Sequence, residues 1–153
     1  MNQRVFAVVF RRIAATLVFV TSMLGPTGSW TQLSASGSDS WLRVATSDSG
    51  TYVVAISSTA LKLSSDSGSH WTSAIAPSGS SGVSWKDVAI SSTGQYMAAV
   101  ASSGSNSCKV FRSRDFGVTW DSAVPPTSVS NCNTNSGSGY GAVAISSDGS
   151  SLL

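Results

Sequence analysis

Ser64-Ser-Asp-Ser-Gly-Ser-His-Trp71 and Ser113-Arg-Asp-Phe-Gly-Val-Thr-Trp120 are two copies of one pattern, Ser-x-Asp-x-Gly-x-x-Trp. The residue types describe a turn that feeds a strand. An Asp carboxylate accepts hydrogen bonds from main-chain N–H groups just beyond it, and a Ser hydroxyl can bond within the same turn. Gly admits positive φ at the tight point without a steric penalty. The strand that follows carries Trp71 or Trp120 back into an apolar interior, where a large ring anchors adjoining layers.

A second landmark repeats in step with the first. Three residues after Trp41, Trp85 and Tyr140 stand Val44–Ser47, Val88–Ser91 and Val143–Ser146, each Val-Ala-x-Ser. Nine residues on, each unit has a glycine: Gly50, Gly94 and Gly149. Tyr52 and Tyr96 follow at eleven residues, where the third unit has Ser151. The units start 44 and then 55 residues apart. Alternating apolar residues bounded by Gly, Ser and Asp clusters predict strands at 41–47, 51–57, 60–65 and 69–75, and at 84–91, 95–101, 108–114 and 118–124. Trp30–Leu33 reads as the last strand of an earlier unit, and 139–153 as the opening of a later one.

Four short antiparallel strands per unit of roughly 40–50 residues is the arithmetic of a propeller blade. A parallel β-helix needs shorter coils, and an immunoglobulin-like sandwich does not repeat its Trp positions at this spacing. The expected fold is therefore all-β: a partial β-propeller with about two complete four-stranded blades and fragments of two more.

The two Ser-x-Asp-x-Gly-x-x-Trp elements resemble the Asp box, or bacterial neuraminidase repeat, of Asp-box β-propellers. That group includes sialidases, xyloglucan-cleaving glycosidases, sortilin-type receptors and photosystem assembly factors. The resemblance covers roughly residues 29–153, with a degenerate box at Gly28–Trp30. It implies that Ser64, Asp66, Gly68 and Trp71, like Ser113, Asp115, Gly117 and Trp120, are structural residues between third and fourth strands. Asp66 and Asp115 would then be turn-formers and not catalytic acids. Propellers typically close with about four to eight blades. The expectation is thus a fragment of a longer protein or a truncated gene product, with ring assembly from several copies as the alternative. Taken alone, open blades would expose sheet edges that invite association.

Composition sets further bounds. The chain has 153 residues, of which 10% are charged and 35 are Ser. Such low complexity can signal disorder, but five Trp, five Phe and three Tyr supply the anchors that disordered chains lack. From residue 26 onward, six Lys/Arg face seven Asp, so no basic stripe for nucleic acid is present. Residues 1–25 differ from the rest: Arg4, Arg11 and Arg12 precede an uncharged apolar run, Ile13–Leu24. That order reads as a secretory signal peptide, although no clean cleavage site follows. An organelle transit peptide, a membrane anchor and a mis-assigned gene start are the alternatives. The run is short of the ~20 residues that span a bilayer. The domain reading is a leader at 1–25 and a partial propeller at 26–153. The expected location is secreted or lumenal, with membrane contact only through an uncleaved leader.

For function, strand alternation places the inserts Ala76–Val83, Ser102–Ser107 and Pro125–Gly139 on one loop face. Loops on a rigid scaffold commonly carry binding, although they also read as tolerated Ser/Gly-rich linkers. Cys108 and Cys132 fall on that face, 24 residues apart. A disulfide between them would staple the long insert and stabilise by about 3 kcal/mol on a chain-entropy basis. Two unpaired thiols is the alternative. Two Cys and a single distant His make no zinc pattern, so no metal and no cofactor is expected.

His70 sits inside the first element, which leaves a Ser-His-Asp triad unsupported. Glu is absent and Arg is sparse, so a sialidase-type site is not carried by this segment alone. A glycosidase using two Asp needs a suitable pair. Asp87, on a predicted innermost strand, is the one weak catalytic candidate, and a paired polar residue at the blade centre is its plainer reading. All five Trp occupy repeat positions and leave no obvious sugar-stacking platform. The leading expectation is a noncatalytic scaffold that binds a protein or glycan on the loop face, completed by further blades or self-association. The alternatives are a piece of an Asp-box glycoside hydrolase and a photosystem-assembly-like propeller.

Overall fold

The computed structural model describes residues 39–74, 81–103, 107–123 and 142–153, together with three short strands nearer the N-terminus. Those three are β1 (Phe6–Val8), β2 (Phe19–Thr21) and β3 (Thr31–Gln32), paired antiparallel in that order. β3 falls where the sequence predicts the last strand of an earlier unit. Its partner β2 lies inside the apolar run read as a leader. Val, Phe and Thr fit a pleated surface well, and a short apolar run is compatible with strand or helix by pattern alone. No helix among the described residues is long and apolar enough to cross a membrane.

Two four-stranded antiparallel sheets follow. The first contains β4 (Trp41–Thr46), β5 (Val53–Ser57), β6 (Leu61–Ser64) and β7 (Thr72–Ser73) in sequential order. The second contains β8 (Val83–Ile90), β9 (Met97–Ser103), β10 (Ser107–Ser113) and β11 (Asp121–Ala123), again as a meander. Each sheet is one propeller blade. Ala142–Leu153 begins a third: Ile145 bridges Leu152, and Ala144 and Leu153 exchange both main-chain hydrogen bonds.

Most predicted strands lie within two residues of the observed ones. The fourth strands are shorter than expected, because residues up to Trp71 and Trp120 remain in the preceding turns. The second strands start late, because residues 51–52 and 95–96 still close the turn before them. The innermost strands β4 and β8 each carry a register shift at the same place, between Trp41 and Arg43 and between Trp85 and Asp87.

The main core lies between the two blades. Val54, Ile56 and Leu61 of the first pack with Trp85, Val88, Met97, Ala99, Phe111 and Trp120 of the second. The Trp85 and Phe111 rings meet edge to face at 5.3 Å, the arrangement that the ring quadrupole favours. A smaller cluster of Trp41, Ala55, Val44 and Trp71 covers the other face of the first blade. Every residue of β5 is therefore buried. This explains its near-continuous apolar run, since a strand covered on both faces has no solvent side to fill with polar residues.

Candidate functional site

The repeated turns come first, because they position everything else. In the first element the Ser64 hydroxyl donates to Asp66 Oδ1 at 2.9 Å and accepts the Gly68 N–H at 2.8 Å. Asp66 Oδ1 also accepts the His70 N–H at 2.8 Å, and the Trp71 indole donates to the Gly68 carbonyl at 2.9 Å. The second element repeats each bond. Ser113 donates to Asp115 at 2.8 Å and accepts the Gly117 N–H at 2.9 Å. Thr119 N–H donates to Asp115 Oδ1 at 2.9 Å, and Trp120 to the Gly117 carbonyl at 3.0 Å. Gly68 and Gly117 have φ of 88° and 83°, where a side chain is disfavoured. Ser113→Ala would leave the buried Gly117 N–H without its acceptor. It should cost about 1–3 kcal/mol, read as a shift in the urea midpoint with an unchanged slope.

The remaining Asp66 oxygen meets His70 Nδ1 at 2.5 Å, whereas Asp115 receives the Thr119 hydroxyl. The His70 side chain is 89% exposed. It closes a turn at the surface, where Asp66 is its hydrogen-bond partner.

These bonds set the acidity of the turns. The His70 main-chain N–H, then its ring, hold the Asp66 carboxyl down to about 2. The Thr119 hydroxyl and N–H lower Asp115. In the third unit, the Ser146 hydroxyl and the Ser150 N–H bring Asp148 to about 2. Hydrogen bonds to the charged form favour it. A carboxylate held this acidic is a poor proton donor near neutral pH.

The sign for stability follows directly. For Asp66 and Asp148 the folded values lie below the usual 3.8, so the unfolded chain binds more protons between about 2 and 3.8. Their contribution is fully present above that window and is lost as pH falls through about 2. Carboxyl carbon NMR titration should place both groups well below 3.8. Ordinary values would contradict these turn bonds.

A second serine device, not anticipated from the sequence, accompanies the first. In each unit the Ser of Val-Ala-x-Ser closes a tight turn. Ser47 Oγ accepts the Tyr52 N–H at 3.1 Å, Ser91 Oγ the Tyr96 N–H at 3.1 Å, and Ser146 Oγ the Ser151 N–H at 2.9 Å. Gly50, Gly94 and Gly149 sit in these turns at φ 72°, 85° and 75°. The repetition of Ser and Gly was the available signal. The turns also join blades: Asp48 N–H donates to the Ser92 carbonyl at 2.9 Å, and Ser92 N–H to the Ser147 carbonyl at 3.0 Å.

Asp87 lies on β8 and ties the innermost strands together. Its Oδ2 accepts the Val143 N–H at 2.9 Å, and its Oδ1 lies 3.6 Å from Arg43 Nε on β4. The carboxylate thus links three successive units and has no second Asp presented as a catalytic partner in these contacts. Cys108 pairs with Ser102 in the β9–β10 ladder, while Cys132 lies outside the described residues, as do most of the three loop-face inserts. Among the described residues, no group of three or more His, Cys, Asp or Glu is arranged to hold a metal.

A concavity lies on this framework among the described residues. A cleft of about 490 Å³ opens between β7 and the second turn element, lined by Tyr52, Thr72, Ser73, Asp115, Phe116 and Val118 among others. The Tyr52 and Phe116 rings stack with centroids 4.7 Å apart and planes tilted by 30°.

No protein-family profile matches the chain, and no curated protein matches it. Among solved structures, an ancestral GH74 enzyme is similar, with a TM-score of 0.61 and 18% identity. The match covers 93% of this chain and 19% of that enzyme. The likeness is one of fold. The two meander sheets and the start of a third are propeller blades, and this chain spans about a fifth of the length of the enzyme it resembles.

Proposed function

We propose that this chain is a noncatalytic binding scaffold built from Asp-box propeller blades, acting in a secreted or lumenal setting and completed by further blades. The observation that carries this reading is how four of the seven Asp are used. Asp66, Asp115 and Asp148 are occupied with turn hydrogen bonds, and Asp87 is spent on Arg43 and the Val143 N–H. Acid–base hydrolysis of a glycoside needs two carboxyl groups facing one bond across a set separation. The partner on the loop face is a protein or a glycan.

The test is hydrolysis and binding measured together on the full chain. Reducing-end release from xyloglucan and from sialyllactose should stay at background, while a glycan array and a pull-down register binding. Turnover abolished by Asp87→Asn would overturn the reading. A second reading, a blade segment of a glycoside hydrolase, is favoured by the GH74 likeness. In that case, joining this chain to its missing blades would restore turnover that depends on carboxylates outside residues 1–153.

A further inference from the structure

We infer that the cleft between β7 and the second turn element binds an extended polypeptide strand bearing apolar side chains and a lysine or arginine. This surface lies on the turn side of the blades, and the inference stands apart from the loop-face reading above.

Three independent features converge there. The first is strain. Phe116 occupies left-handed backbone at φ 60°, as Ser67 does at φ 58° in the first element. Bulky side chains are rare in that region. In both elements the residue donates its N–H to the first turn of its own blade, Ser67 to the Thr51 carbonyl and Phe116 to the Gln95 carbonyl. The bond requires no aromatic ring, since serine makes it equally well. The second feature is exposure. Phe116 is 39% and Val118 61% exposed, so two large apolar groups face solvent beside a cavity. An outlier of backbone conformation that also presents an apolar surface is a reason to look for a ligand.

The third feature identifies the ligand as a strand. Ala74 N–H donates to the Leu61 carbonyl, and Thr72 pairs with Leu63. Hydrogen-bonded pairs alternate along an antiparallel ladder, so Ser73 directs its N–H and C=O away from β6. An incoming strand can exchange both bonds with Ser73, as in β-augmentation. The residue opposite Ser73 then faces away from the cleft, and its two neighbours point into it over Phe116. The cleft is continuous with the inter-blade core, because Tyr52 and Leu63 line the one and pack against the other. Among its described lining residues, Asp115 is the one charged group, which selects a basic residue in the occupant.

The probe is the labelled peptide Lys-Thr-Leu-Thr-Val-Thr-Lys, acetylated and amidated, titrated by fluorescence anisotropy against the full chain. Saturable binding is expected. N-methylation of its three Thr residues removes the donors that face β7 and should abolish binding. Replacing both Lys by Glu should weaken it. Ser73→Pro removes an outward N–H without touching the β6 ladder, and Phe116→Gly suits the left-handed backbone. Each should weaken binding at least tenfold with an unchanged circular dichroism spectrum. Phe116→Ser, which copies Ser67, provides a second test of the ring. The inference is overturned by the absence of saturable binding to the wild type, or by binding that survives both Ser73→Pro and Phe116→Gly. Displacement of the peptide by cellohexaose whose own binding ignores Ser73→Pro would assign the cleft to a sugar and overturn it as well.

Discussion

Replacing Phe111 by Ala should destabilise the chain by about 3–5 kcal/mol, the usual range for deleting a buried phenyl ring. Phe111 is fully buried at 0% exposure and lies in the cluster shared by both blades. Truncation would remove apolar area from both sides of the inter-blade core, together with the edge-to-face contact with Trp85. Such contacts add about 0.5–1.5 kcal/mol beyond area burial. Since domains have only about 5–15 kcal/mol in total, urea unfolding should move to a much lower midpoint. Phe111→Leu keeps most of the volume and should lose clearly less. A loss below about 1 kcal/mol for the Ala variant would mean that the ring is not at a shared interface.

The second large effect is at Gly94. Its φ is +85°, and a Cβ there would fall 2.5 Å from Tyr52 Cδ2. Gly94→Ala combines left-handed backbone for a non-glycine residue, about 1–2 kcal/mol, with an overpacking clash of about 1–3 kcal/mol. Gly82 separates the two contributions. It has φ +68° but nothing within 4 Å of its added Cβ, so Gly82→Ala should show the backbone cost alone. In the Gly94→Ala/Tyr52→Ala double variant the steric part should vanish, so the pair should lose less than the sum of the single variants. Strict additivity would show that the tyrosine does not rest on the glycine. The same contact recurs one unit later, where Tyr96 packs against Gly149. Each blade therefore lays a tyrosine on the glycine turn of the next.

Much of this architecture was legible because it is periodic and local. The paired Ser-x-Asp-x-Gly-x-x-Trp elements and the recurring Val-Ala-x-Ser placed the strands and turns, and the fold they predicted is the one observed. The repeat also exposed Tyr52, Tyr96, Gly94 and Gly149 as repeat positions, but not their pairing. That pairing joins residues of successive units, and a local pattern does not encode it. The same holds for Asp87, whose partner Val143 is 56 positions away. Phe116 stands at a variable position inside the second element, and its left-handed φ and exposed ring lie beyond the reach of composition. The signal lay in comparison with Ser67, because a phenylalanine where the sibling turn has a serine is a departure that the turn itself does not require.

A methyl NOE experiment on the full chain tests directly whether successive units stack as propeller blades. The Leu63 methyl groups of the first blade should show strong NOEs to the Gly117 Hα protons and the Met97 methyl of the second, since an added Cβ at Gly117 would lie 2.6 Å from Leu63 Cδ1 and 3.2 Å from Met97 Sδ. NOEs confined within each four-stranded sheet, with none between Leu63 and Gly117 or Met97, would show that the two sheets do not stack and would contradict the account.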